Sequence, residues 1–147
     1  MTLHETQRDI VDEFSVFEDW LDKYNYLIEL GNDLPELAPE YRTDEYLIRG
    51  CQSRVWLHAE LKDGKIEFRA DSDAVIVKGI VALLVRVMSG RTPAEILEDD
   101  LFFIEEVGLH QNLSPTRSNG LLSMVKKMRT YALAYQAKAN HKTGKDE

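Results

Sequence analysis

Cys51 is the only cysteine in the chain. One thiol cannot close an intrachain disulfide, and it cannot by itself supply a multi-cysteine zinc or iron–sulfur site. Its available chemistry is nucleophilic, because a thiolate attacks without needing a second thiol beside it. The setting is Gly50-Cys51-Gln52-Ser53, a small, polar junction between two apolar, strand-like segments. A thiol there sits on a connection and not inside a strand. Gly50 permits tight backbone geometry and close approach by a partner. Arg49 and Arg54 flank the site and are expected to favour the thiolate. The pattern fits a thiol presented to another protein.

Other residues with chemical potential are sparse. His4, His58, His110 and His141 lie far apart, with no i,i+4 pair and no HExxH pattern, so the sequence offers no metal site. Asp99-Asp100 and Glu105-Glu106 look like paired carboxylates, but solvation of helix ends explains them more simply. The 8 glycines are scattered and form no phosphate-cradling loop. A stand-alone cysteine hydrolase or peroxidase is an alternative, and a hydrolase usually requires a histidine base. His58 is the nearest histidine in sequence, on the strand expected to follow Cys51.

The elements that must position Cys51 are readable from periodicity. Ile10, Val11, Phe14, Phe17, Leu21 and Tyr24 recur at three- and four-residue steps, which predicts one helix over the first 24 residues. A second apolar stretch, Tyr26 to Leu30, stops at Gly31-Asn32-Asp33, and Leu34 to Pro39 reads as a turn or linker. Val55, Leu57, Ala59 and Leu61 alternate with polar or aromatic neighbours, Asp63-Gly64 is a type I′ turn signal, and Ile66, Phe68 and Ala70 resume the alternation. A hairpin is therefore expected over Arg54–Lys62 and Lys65–Ala70, with Tyr46–Ile48 as a candidate third strand. Ser72 or Asp73 can cap a buried helix from Ala74 to Met88, which Ser89-Gly90 ends. Thr92-Pro93-Ala94-Glu95 is a capping box with proline at the first helical position. A short stretch with Leu101, Phe102, Ile104 and Val107 closes at Gly108. Ser114-Pro115 opens a last helix to about Ala137, with Leu121, Leu122, Val125, Met128 and Ala132 as its buried stripe. The expectation is one α+β domain over residues 1–137, a small antiparallel sheet of about three strands packed against helices. Residues 138–147 are expected to be a flexible basic tail.

Composition narrows the class further. The 147 residues suit a single domain with a real core, and 44% hydrophobic content argues against wholesale disorder. The formal net charge of −8 argues against nucleic-acid binding, which rests on Lys and Arg neutralising phosphates. The charge is uneven: residues 1–50 carry a net −9, residues 51–110 a net −4, and residues 111–147 a net +5. Such asymmetry reflects docking surfaces of opposite sign, or complementarity within the chain. The first 19 residues lack a signal-peptide layout, and Ala74 to Met88 is too short and too charged to span a bilayer. No membrane association and a cytoplasmic location are expected.

Three segments together resemble one family. Ile48-Arg49-Gly50-Cys51-Gln52-Ser53-Arg54-Val55-Trp56-Leu57 resembles the GCxSxVWL signature of the SufE family. Asp71-Ser72-Asp73-Ala74 leading into Ile76-Val77-Lys78-Gly79 is similar to that family's helix start, and Leu113 to Leu121 is similar to its LSpxRxNGL segment. The resemblance runs from about residue 5 to residue 137 in the same order, with no departure at the key positions. It implies the SufE fold, shared with iron–sulfur scaffold proteins.

It also implies a function. SufE-type proteins bind and stimulate a cysteine desulfurase, accept its sulfur as a persulfide, and pass it on for iron–sulfur cluster assembly. Carried over, Cys51 is the acceptor thiol, and Gly50, Gln52 and Ser53 shape its loop. Arg117, Asn119 and Gly120 help to present or dock that loop, unless Arg117 is an ion-pair partner and Asn119-Gly120 a helix-start packing feature. Trp56 is expected to anchor the loop and Asp73 to cap the helix. The protein binds no metal and no cofactor of its own, and pyridoxal phosphate belongs to the desulfurase. The downstream partner is an iron–sulfur scaffold or another sulfur acceptor, and the protein is a monomer or homodimer. With one cysteine it transfers sulfur and does not build clusters. An unbound loop that shelters Cys51 against apolar side chains of the Ala74–Met88 helix is expected from the need to protect a persulfide. The alternative is a non-catalytic adaptor of a desulfurase in which Cys51 is incidental.

Overall fold

The computed structural model describes residues 1–146, with side chains through residue 138. Its elements in chain order are α1 (Leu3–Ser15), α2 (Trp20–Asn32), two single 3-10 turns (Pro39–Tyr41 and Asp44–Tyr46), β1 (Val55–Lys62), β2 (Lys65–Ser72), α3 (Val75–Met88), α4 (Pro93–Glu98), α5 (Phe103–Val107), α6 (Leu109–Asn112) and α7 (Pro115–Asp146). The arrangement is α+β, with an antiparallel hairpin packed against helices.

The expected single N-terminal helix is two. Thr2 caps α1 with a full capping box through Glu5, and Asp19 caps α2 by accepting from the Asp22 N–H at 2.9 Å. The second cap restarts the helix after Ser15 and turns Leu21 outward, so it leaves the apolar stripe and is exposed. The break lets α1 reach α5: buried Gln7 donates to the Asp100 carbonyl at 2.9 Å and accepts from the Phe103 N–H at 3.2 Å. In the α5 stretch the fully buried ring is Phe103, and Phe102 is half-buried. Glu13 of α1 accepts from both terminal nitrogens of Arg86 on α3 and from the Tyr26 hydroxyl. The Arg86 hydrogen bonds hold the Glu13 carboxyl below its usual range, and burial followed by the Glu13 bond pushes Tyr26 up to about 12.

The hairpin forms as expected, with Asp63 and Gly64 both at positive φ and a register from Val55 opposite Ser72 to Lys62 opposite Lys65. The third strand does not form. Asp44–Tyr46 is a 3-10 turn, and only Leu47 bridges to Trp56, so the sheet has two strands among the described residues. One face of the hairpin, through Val55, Leu57, Ile66, Phe68 and Ala70, enters the core with α3. Trp56 is buried on the opposite face beneath the Arg42 guanidinium, 4.8 Å from its ring.

Helix α3 is the central element, and α2 lies directly on it. A Cβ on Gly79 would stand 2.2 Å from the Leu27 carbonyl oxygen, so only glycine allows this approach. Helix α7 closes the core with Leu121, Met124, Val125, Met128 and Ala132, while Leu122, expected in that stripe, is exposed. The Thr92-Pro93 and Ser114-Pro115 helix starts form as read: the Thr92 hydroxyl accepts from the Glu95 N–H at 3.2 Å, and the Ser114 hydroxyl accepts from the Arg117 N–H at 3.3 Å. The α7 backbone stays helical to Asp146, past the expected end at Ala137. The side chains of the expected tail from residue 139 onward, and Glu147, lie outside the described residues.

Candidate functional site

The Cys51 loop hangs between two fixed points. On one side the Ile48 N–H donates to the Val55 carbonyl at 2.9 Å. On the other, both backbone groups of Arg54 are held by the β2–α3 junction. The Arg54 N–H donates to Asp73 Oδ1 at 3.1 Å, and its carbonyl accepts from the Asp73 N–H at 3.2 Å and the Ser72 hydroxyl at 2.9 Å. This corrects the expected role of Asp73: its carboxylate grips the loop's end and does not cap α3. The residue at the N-cap position is Ala74, whose N–H donates to Ser72 Oγ at 3.2 Å. Buried Asp71 ties the same junction to Lys78 (3.5 Å) and Arg42 (3.8 Å).

Between those anchors the loop lies against α7. Gly50 has φ +93°, and a Cβ there would stand 2.6 Å from Ser123 Oγ. The backbone conformation favours glycine, and an added Cβ would displace the Ser123 hydroxyl. Cys51 is half-buried, and its Sγ–H makes a weak contact with the Gly120 carbonyl at 3.6 Å. Beside it opens a groove of about 370 Å³ lined by the loop residues Cys51, Gln52 and Ser53, by Val77 of α3, and by Ser114, Thr116, Arg117, Gly120 and Met124.

The fold thus brings the loop residues Cys51, Gln52 and Ser53 together with Arg117 and Gly120, which are remote from them in sequence. Asn119 is exposed and does not line this groove. Val77 comes from the Ala74–Met88 helix that was expected to shelter the thiol. Ser123 and Met124 are neighbours that sequence reasoning passed over, although they follow Gly120 at the three- and four-residue steps that share a helix face.

Burial pushes the Cys51 thiol up from its ordinary value. The expected lowering by Arg49 and Arg54 is therefore absent. Arg49 lines a neighbouring groove with Lys126 and Lys127, and both arginine side chains are exposed. His58 offers no base either. Its ring stacks on Tyr41 at 3.8 Å, meets Tyr46 edge-on, and is not part of the Cys51 groove. Among the described residues no cluster of three or more metal-ligating side chains occurs, and no helix is long and apolar enough to cross a membrane.

A hairpin and a helical core carry one half-buried, loop-borne thiol beside a groove. The family model for SufE, described as an Fe-S metabolism associated domain, matches residues 8–132. The chain belongs to the SufE family. An uncharacterized SufE-like protein of Rhizobium etli is 47% identical over 128 residues, covering 84% of this chain and 86% of that protein. An uncharacterized SufE-like protein of Rhizobium meliloti is 41% identical over 128 residues, covering 84% and 91%. One of Synechocystis is 39% identical over 135 residues, covering 92% and 85%. The solution structure of a hypothetical protein from Thermus thermophilus shares the fold, with a TM-score of 0.73 at 21% identity over 90% of this chain and 96% of that one.

Proposed function

We propose that the protein is a cytoplasmic sulfur acceptor that binds and stimulates a cysteine desulfurase, with Cys51 carrying the sulfur as a persulfide toward iron–sulfur cluster assembly. Membership of a family associated with Fe-S metabolism supports the pathway. The observation that carries the chemistry is the position of Cys51. The chain's only thiol stands on a loop anchored at both ends, and a single weak contact holds its sulfur.

The transfer is thiol exchange. The Cys51 thiolate attacks the outer sulfur of the desulfurase persulfide. One S–S bond forms as the partner's S–S bond breaks, the outer sulfur keeps its proton, and the partner leaves as a thiolate. No oxidant or reductant is consumed. The pyridoxal phosphate that generates the first persulfide belongs to the partner. In the resting protein burial disfavours the thiolate, so docking must draw the loop outward and expose the sulfur to a polar setting. Arg49, Arg54, Arg117, Lys126 and Lys127 are exposed and make no ion pair among the described residues. They make the surface around the loop predominantly basic, with Asp44 and Glu45 beside Arg49, Lys126 and Lys127, and suit it to an acid-lined partner surface. The acceptor is a scaffold or another sulfur-binding protein.

The test is Cys51→Ser assayed with a cysteine desulfurase and cysteine. The variant is expected to bind the desulfurase as the wild type does and to lose all stimulation of sulfide release. Stimulation that survives the substitution overturns the relay and leaves an adaptor in which Cys51 is incidental.

A further inference from the structure

Gly120 lies inside α7, where glycine costs about 1 kcal/mol relative to alanine. The usual reason for such a glycine, close approach by another backbone, is absent. A Cβ on Gly120 would meet only Cys51 Sγ, at 3.6 Å, which is an ordinary contact. Gly79 differs sharply, since its added Cβ would stand 2.2 Å from a carbonyl oxygen. The resting thiol therefore tolerates alanine at position 120.

A thiol that has gained an atom does not. A second sulfur sits about 2.05 Å from Sγ. It needs roughly 3.5–4 Å from any carbon it does not bond to. With a Cβ already touching Sγ, the side of the sulfur that faces α7 is closed to that atom. With glycine that Cβ is missing, and a second sulfur set off the line from Sγ to the Cα clears the helix. We propose that the Cα face of Gly120 is the berth for the outer sulfur of the Cys51 persulfide, an inference that rests on the relay reading above.

The surroundings suit that cargo. Val77 and Met124 give the groove an apolar wall against which the outer sulfur packs. Ser114 and Thr116 line the groove with hydroxyl side chains, and Arg117 supplies a cation where the outer sulfur ionises. The Sγ–H contact to the Gly120 carbonyl ends when Sγ ionises to attack, and Sγ then carries the second sulfur in place of the proton. Loading thus removes the one contact of the resting sulfur and replaces it with packing against Gly120. Gly120 is a binding residue for the carried atom, and it has no part in activating the thiol.

The experiment loads wild type, Gly120→Ala and Gly120→Ser with a cysteine desulfurase and cysteine. Persulfide on Cys51 is counted by mass spectrometry, and its decay is followed in dithiothreitol. Thermal melting and alkylation of the unloaded thiol are measured alongside. Gly120→Ala is expected to melt no lower than wild type, to alkylate at the wild-type rate, and to lose its persulfide about tenfold faster. Gly120→Ser carries the same Cβ and must shorten the persulfide lifetime in the same way. Equal loading and lifetime in wild type and Gly120→Ala overturn the berth and leave the relay intact. A lower melting point with faster alkylation assigns the glycine to resting packing and also overturns the berth. Absence of sulfur on wild-type Cys51 overturns the relay reading itself.

Discussion

At the residue scale, Cys51 balances protection against reactivity. Half-burial keeps the sulfur protonated, so the isolated protein presents a less reactive thiol than free cysteine at the same pH. The sign follows from linkage. Burial raises the thiol's value in the folded state only, so above the ordinary thiol range, about 8.5, the unfolded chain holds fewer protons than the folded one. Stability therefore falls as pH rises through that range, and Cys51→Ser removes this part of the slope. Iodoacetamide alkylation of the native protein should show its midpoint at higher pH than alkylation in denaturant. A native midpoint equal to or below the denatured one contradicts the buried, protonated sulfur. The sequence pointed the other way here, because the neighbouring arginines Arg49 and Arg54 suggested a lowered value. Adjacency in sequence did not put either guanidinium beside the sulfur, and burial by α7 is a tertiary effect.

At the scale of elements, the Cys51 loop is positioned by the β2–α3 junction and by α7. Gly50 is where loop and helix meet. Gly50→Ala forces a side chain into positive φ and toward Ser123 Oγ, and should lower urea stability by about 1–3 kcal/mol. Adding Ser123→Ala is expected to restore the part due to the clash and leave the part due to φ. Unchanged stability in Gly50→Ala means that the loop does not pack on α7 as described. The hairpin was legible because alternation and Asp63-Gly64 are local signals. The Thr92-Pro93 and Ser114-Pro115 helix starts were legible for the same reason. The third strand was not, since Tyr46–Ile48 is apolar enough for a strand but its backbone turns through a 3-10 bend first. The role of Asp73 was missed because a carboxylate before a helix serves a cap or a neighbouring strand equally well. Only the fold decides that it holds Arg54.

At the scale of the whole molecule, the acidic residues 1–50 and the basic residues 111–147 differ in how their charges are used. Several N-terminal acids are used inside the protein: Glu13 binds Arg86, and Asp19 caps α2. The basic residues nearest the Cys51 loop have no such internal partner among the described residues. Charge counting showed the imbalance but could not separate internal pairing from a surface left free for docking. The core that orients this surface is built around α3, with α2, the hairpin and α7 against it, so the groove beside Cys51 is a product of the entire fold. Its residues come from three stretches of sequence, and recognising them as one site depended on the family resemblance more than on periodicity.

The most direct test of the account is intact-protein and peptide mass spectrometry after incubation with a cysteine desulfurase and cysteine. A gain of one sulfur atom is expected on the peptide that contains Cys51 and on no other. A protein that stimulates the desulfurase while Cys51 gains no sulfur contradicts it.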